Sequence, residues 1–189
     1  FSQNEEFWST VVIGEHVYFH SFTSVFIYDG DGFKVIRTGD LISSISEVRG
    51  RLCLNLQGKG LFLANDTILS PFLVQPEIRS KQIHFCKTLK DSSLLIGTAS
   101  DGLYQVKDKK MKPFLESWTP YFAENEINRG IITPEGNIVV GTLLDGIVVF
   151  DPHGNLLHQI NHENGLQNNT VLGIHSDKEN MIWLALDRG

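Results

Sequence analysis

The sequence is poor in the features that mark most other protein classes. Its 189 residues hold only two cysteines, Cys53 and Cys86, too few for a disulfide scaffold and without metal-ligand spacing. They leave the redox compartment open. Basic charge is also scarce: 16 Lys and Arg stand against 22 Asp and Glu, a net charge of −6, so no basic stripe offers nucleic acid a phosphate footprint. The densest basic run, KDKKMK at 107 to 112, falls between two strand-like stretches and reads as a solvated hairpin tip. No apolar run reaches the roughly 18 residues of a membrane span, and Phe1 opens without a Met, a charged n-region or an h-region. The expectation is a mature fragment of a longer chain. No helical 3.6-residue periodicity of useful length is visible.

What the sequence does contain is glycine at regular intervals and a hydrophobic content of 41%, enough for a sizeable core. The segments SSLLIGTASDGLYQV (92 to 106) and GNIVVGTLLDGIVVF (136 to 150) superpose at an offset of 44 residues. GRLCLNLQGKGLFLA (50 to 64) and ENMIWLALDRG (179 to 189) fit the same template, and EHVYFHSFTSVFIYD (15 to 29) is a degenerate first copy. The anchor glycines Gly60, Gly102, Gly146 and Gly189 are separated by 42, 44 and 43 residues, a period of propeller blades and too long for leucine-rich or ankyrin units.

Each period divides into four short strands. The innermost are expected at 9 to 14, 45 to 50, 82 to 89, 127 to 133 and 171 to 176. The second are expected at 16 to 21, 51 to 56, 93 to 98, 137 to 142 and 181 to 186. These second strands are apolar almost throughout, as a strand covered on both faces requires. The fold class is all-β: a β-propeller fragment of four-stranded antiparallel blades. One partial propeller domain spans 1 to 189, with blades near 9 to 36, 45 to 73, 82 to 115, 127 to 160 and an incomplete 171 to 189. These make about four and a half blades. Tyr18, Cys53, Leu95, Val139 and Trp183 share one column of the alignment, which makes Cys53 a packing residue rather than a reactive thiol. Such an arc would leave a blade edge to be covered by the remaining blades or by a second copy.

The last unit, 163 to 189, carries Gly165, Leu166, Asn168, Val171, Asp177, Asn180, Trp183 and Gly189 in the order of a known pattern. It resembles the two-component regulator propeller repeat. The units at 82 to 115 and 127 to 160 keep the Gly-Thr and Asp-Gly core but lack the Trp and the Gly-Leu lead-in, and the copy at 39 to 64 has Asn55-Leu56 in place of Gly-Thr. The resemblance implies seven-bladed rings in the extracytoplasmic, periplasmic region of a membrane-spanning regulator. It further implies a triple-tyrosine domain, a membrane helix and a cytoplasmic output module downstream, either a histidine kinase or a helix-turn-helix domain. In that family the sensed signals are glycan fragments. The partners so implied are an oligosaccharide, the remaining blades and a homo-oligomer, with the membrane met only through the downstream helix.

Candidate sites are few. Asp101 and Asp145 recur before anchor glycines, as a hairpin turn demands. His16 and His20, like His158 and His162, are four residues apart, but on a strand that spacing spans roughly 13 Å, too far for one ion. GDGF and GKGLF lack the strand-loop-helix context of a phosphate loop, so no cofactor is expected. The inner strands offer Glu47, Arg49, His84, Lys87, Arg129 and His175, scattered across blades rather than convergent, and the segment is expected to be non-enzymatic. A lyase or glycosidase would need such a cluster. A generic protein-interaction scaffold remains the alternative. The segment ESWTPYFAEN (116 to 125) breaks the repeat as a longer connection. There Trp118 and Tyr121 would stack on a sugar ring with Glu124 hydrogen-bonding its hydroxyls, or the two rings would cover a blade edge. Gly60, Gly102, Gly146, Trp183 and Gly189 define the repeat structurally.

Overall fold

The computed structural model describes residues 6–188, and it is built from consecutive antiparallel sheets. The first sheet is a meander of β1 (Ser9–Ile13), β2 (His16–His20), β3 (Ser24–Tyr28) and β4 (Phe33–Arg37). The second contains β5 (Ile42–Val48), β6 (Arg51–Leu56), β7 (Gly60–Asn65) and β8 (Ile68–Leu73). The third is β9 (Ile83–Thr88), β10 (Leu94–Thr98), β11 (Leu103–Lys107) and β12 (Lys110–Phe114). The fourth is β13 (Ile127–Ile132), β14 (Ile138–Thr142), β15 (Ile147–Phe150) and β16 (Leu156–Ile160). A two-stranded hairpin, β17 (Val171–Ser176) and β18 (Ile182–Leu186), follows. Two short helices interrupt the strands, α1 (Pro76–Arg79) and α2 (Thr119–Asn125), the latter entered through a 3-10 turn, Glu116–Trp118.

The chain forms two compact units, Phe1–Cys86 and Lys87–Gly189. In the first, the core joins Val25, Ile27 and Ile36 to Ile42, Ile45, Leu52, Leu54, Leu56 and Ala64. Val11, Ile13 and Tyr18 pack against it. Polar side chains stitch this unit as well: Ser44 Oγ and Asn55 Nδ2 donate to the Ile83 carbonyl at 3.1 and 3.0 Å, and the Cys86 N–H donates to Ser46 Oγ at 3.2 Å. These bonds satisfy buried polar atoms that would otherwise cost stability.

The second unit repeats the scheme. Val139, Ile147, Val149 and Val171 form a buried cluster with Ile131, Ile174, Ile182 and Leu184 packed on it. Asn128 Nδ2 donates to the Val171 carbonyl at 2.7 Å. The innermost strands β5, β13 and β17 each carry a register shift near their start, between Ile42 and Ser44, Ile127 and Arg129, and Val171 and Gly173. Sequence alignment alone gave no sign of these bulges, which take one residue off the ladder and bend the strand.

The second strands β6, β10 and β14 are buried almost end to end, each fully buried Leu, Ile or Val contributing about 1.5–3 kcal/mol. β18 departs from that expectation. It alternates between half-buried and exposed residues, and Trp183 is 62% exposed. Ile182 and Leu184 face the cluster around Val139, while Trp183, on the opposite pleat, has no apolar layer over it among the described residues.

The Gly-Thr and Asp-Gly signatures have a common geometry. In the third sheet Thr98 Oγ1 donates to the Gly102 carbonyl at 2.8 Å and accepts the Asp101 N–H at 3.1 Å. In the fourth, Thr142 does the same with Gly146 and Asp145 at 3.0 Å each. One hydroxyl thus closes each turn. Gly146 has φ +69°, and a Cβ there would lie 2.2 Å from the Ile160 carbonyl oxygen. Gly189 lies outside the described residues. At 107 to 112 the basic run forms a two-residue hairpin, Lys107 opposite Lys110, with Asp108 and Lys109 both at positive φ.

Gly146→Ala is expected to cost about 2 kcal/mol or more, because strain and a backbone clash combine. Gly14→Ala, at φ +59° with nothing within 4 Å, is expected to cost only about 1 kcal/mol. Urea unfolding of the two variants checks this, and equal midpoints would contradict it.

Candidate functional site

Residues 116–125 form a helical segment rather than the open connection expected from sequence. Leu115, in the left-handed region at φ 55°, turns the chain sharply, and its carbonyl accepts the Trp118 N–H at 2.8 Å. Pro120 sits in the first turn of α2, where its missing N–H costs nothing. Trp118, Tyr121, Phe122 and Asn125 then fall at i, i+3, i+4 and i+7, the spacing of one helix face. That spacing was present in the sequence and is the signal that could have found the helix. Seven residues were too few for it to stand out.

The face packs inward. Phe122 is fully buried, and the Trp118 ring meets Phe150 of β15 edge-on, centroids 4.9 Å apart, with Tyr121 at 5.2 Å. The Tyr121 hydroxyl donates to Asp145 Oδ2 at 2.9 Å. Gln159 Nε2 donates to the same oxygen at 2.8 Å, and Asn161 Nδ2 to Asp145 Oδ1 at 2.7 Å. Asp145 is therefore more than a turn residue. Its carboxylate gathers α2 and the strand end after β16 through neutral donors. Burial, and then the Asp145 carboxylate, push the Tyr121 phenol well above its ordinary range.

The structure brings Trp118 and Tyr121 together, both half-buried, and leaves Glu124 exposed on the helix. The two rings pack on Phe150 and the turn at Asp145. Trp183 is held differently: its indole Nε1 donates to Asp177 Oδ2 at 2.7 Å. Asp177 Oδ1 also accepts the N–H groups of Glu179 and Met181. The indole donor comes first among the causes that hold the Asp177 carboxyl below its usual value.

The other candidates stay apart. His20 is buried and bonded to Ser9 Oγ at 2.7 Å through Nδ1, whereas His158 and His162 are exposed. Among the described residues no group of three or more His, Cys, Asp or Glu is placed to hold a metal ion. Glu47 caps the β5–β6 turn through the Gly50 N–H, where Arg49 takes a positive φ. Cys53 and Cys86 are buried and form no disulfide, and burial foremost raises the Cys53 thiol well above its usual value. Arg129, on the innermost strand β13, is tied by its guanidinium to the neighbouring strand: Nε donates to the Leu172 carbonyl at 2.9 Å.

No family model and no curated protein matches the chain. Solved structures do. The extracellular domain of a hybrid two-component system from B. thetaiotaomicron superposes with TM-score 0.63 at 16% identity over 96% of this chain. The fold is that of a β-propeller. The WD40 propeller domain of Doa1 gives TM-score 0.74 at 11% identity over 94% of the chain and 60% of that domain. Virginiamycin B lyase from Staphylococcus aureus gives 0.69 at 10% over 98% of the chain and 64% of the lyase. This chain spans a quarter of the B. thetaiotaomicron extracellular domain. These three propellers carry different functions, so architecture alone does not choose between them. No helix among the described residues is long and apolar enough to cross a membrane.

The Tyr121 phenol titrates higher when folded than the roughly 10 of an unfolded tyrosine. Its contribution to stability is complete below pH about 10 and is lost as pH rises through the folded value. Tyr121→Phe is expected to lose about 1 kcal/mol at pH 7 with the bond to Asp145, and to flatten the alkaline fall in stability between pH 9 and 12. Thermal melts across that range test it, and an unchanged alkaline slope would count against the burial of the phenol.

Proposed function

We propose that this chain is an extracytoplasmic sensor segment of a membrane-spanning signal-transduction regulator, non-enzymatic in itself and responsive to oligosaccharides. The observation that carries the reading is the coincidence of two independent features. The unit from Gly165 to Trp183 resembles the two-component regulator propeller repeat. The fold overlays, over 96% of its length, an extracellular domain of a hybrid two-component system. A scaffold of the WD-repeat type would share the blades but not the Gly-Leu lead-in and the Trp183 position.

The non-enzymatic part of the proposal is supported by how the polar inner-strand residues are used. Glu47 closes a turn and Arg129 holds a neighbouring strand. A propeller enzyme would instead aim several such groups at one point. In this reading a sugar ring would lie against the half-exposed side of Trp118, with Glu124 accepting from its hydroxyls. Signal transfer and output belong to parts of the regulator outside this segment.

Thermal unfolding with a panel of plant and host glycans tests the reading. A bound oligosaccharide at a hundredfold its Kd adds about 2.7 kcal/mol, a rise of roughly 5–11 °C for a domain of this size. Trp118→Phe is expected to reduce that rise while keeping the packing on Phe150. Indifference to every glycan would overturn the proposed response, whereas a rise that Trp118→Phe leaves intact would move the contact away from α2.

A further inference from the structure

We propose that Arg129 anchors an anionic group, and that the oligosaccharide sensed here carries a carboxylate; the second half rests on the sensor reading above. Arg129 sits on the innermost strand of the fourth sheet, directly opposite Gly141 of β14. Gly141 leaves the space beside it close to Val171 and Ile174, whose side chains a Cβ there would meet at 2.6 and 2.9 Å. The Arg129 guanidinium reaches the next innermost strand. Of its five N–H donors, Nε takes the Leu172 carbonyl at 2.9 Å, and Nη1 takes the Asn128 carbonyl and Oδ1 at 3.0 and 3.2 Å. The two N–H groups of Nη2 have no acceptor among the described residues.

Every partner of this cation is neutral. The ion pairs Lys34–Asp66, Lys59–Asp40 and Lys107–Asp91 all lie elsewhere at the surface. Burial is the only cause that lowers the Arg129 pKa, with no charged neighbour contributing. Arg129 is half-buried, and a partly desolvated cation without a counter-charge favours an arriving anion.

The surrounding backbone gives the site its sign. Register shifts fall at Asn128 and at Leu172, one on each adjoining strand, and interrupt the ladders there. The carbonyls nearest the guanidinium are already engaged: Val171 by Asn128 Nδ2, Leu172 by Arg129 Nε and Asn128 by Arg129 Nη1. The donors left over are those of Nη2, next to Leu172, which is 46% exposed. A carboxylate suits two N–H groups on one planar edge, and Arg is the side chain that presents them in fixed geometry.

Titration calorimetry with digalacturonate, its neutral methyl ester and acetate tests the assignment. Digalacturonate is expected to bind roughly ten- to hundredfold more tightly than the ester, the range of a charge-assisted hydrogen bond. Acetate should compete weakly, and raising salt from about 25 to about 200 mM should weaken the acid but not the ester. Arg129→Gln should remove the difference between acid and ester, with Arg129→Lys intermediate. If Arg129→Gln does not fold, the ester comparison and salt dependence of the unaltered protein decide alone. Equal binding of acid and ester would overturn the anion anchor while leaving an oligosaccharide sensor standing. No binding of digalacturonate or acetate would overturn the anchor outright. Acetate binding without digalacturonate would keep Arg129 as an anion site and refute the sugar.

Discussion

A sheet of four short strands has two apolar faces, and neither is stable in water alone. Everything else in the structure follows from covering both. It explains why β6, β10 and β14 are buried almost end to end, and why Val139 on one sheet is matched by Val171 and Ile174 on the next. It also explains why polar atoms inside the units find carbonyls on the adjoining inner strand. Burial without those bonds would give back much of what packing contributes.

The same constraint accounts for what the sequence disclosed. The blades were legible because the second strand must be apolar on both sides, and because the turn after it needs a glycine within a few residues of a fixed place. Strand bounds read from that pattern agree closely with β6, β10 and β14. Leu95 and Val139 share a column and share complete burial. Trp183 stands in that column and is exposed, since burial depends on which layer faces a residue as well as on its register. The bulges near Ser44, Arg129 and Gly173 were invisible, because a one-residue shift leaves no compositional trace.

The candidate site was only partly legible. Aromatic content marked 116 to 125 as unusual, but the meaning of the rings depended on partners 24 and 32 residues away: Asp145 for Tyr121 and Phe150 for Trp118. Asp145 itself was assigned to a turn by its Asp-Gly context, and it does occupy that turn. Its hydrogen bonds with Gln159 and Asn161 come from tertiary geometry that no local pattern encodes. Arg129 is one of six scattered polar residues in the sequence, and its bonds to Asn128 and Leu172 emerge only in the fold.

The turn closed by one threonine hydroxyl carries an implication for ancestry. The Thr98 and Thr142 hydroxyls close turns within their own blades, whereas Ser44, Asn55 and Asn128 each reach forward to the innermost strand of the next sheet. A segment whose turn is closed internally is a cassette that tandem duplication can copy without redesign. Later copies are then free to drift at their rims, as the helix inserted before β13 shows, while the hydroxyl, the aspartate and the glycine hold the frame.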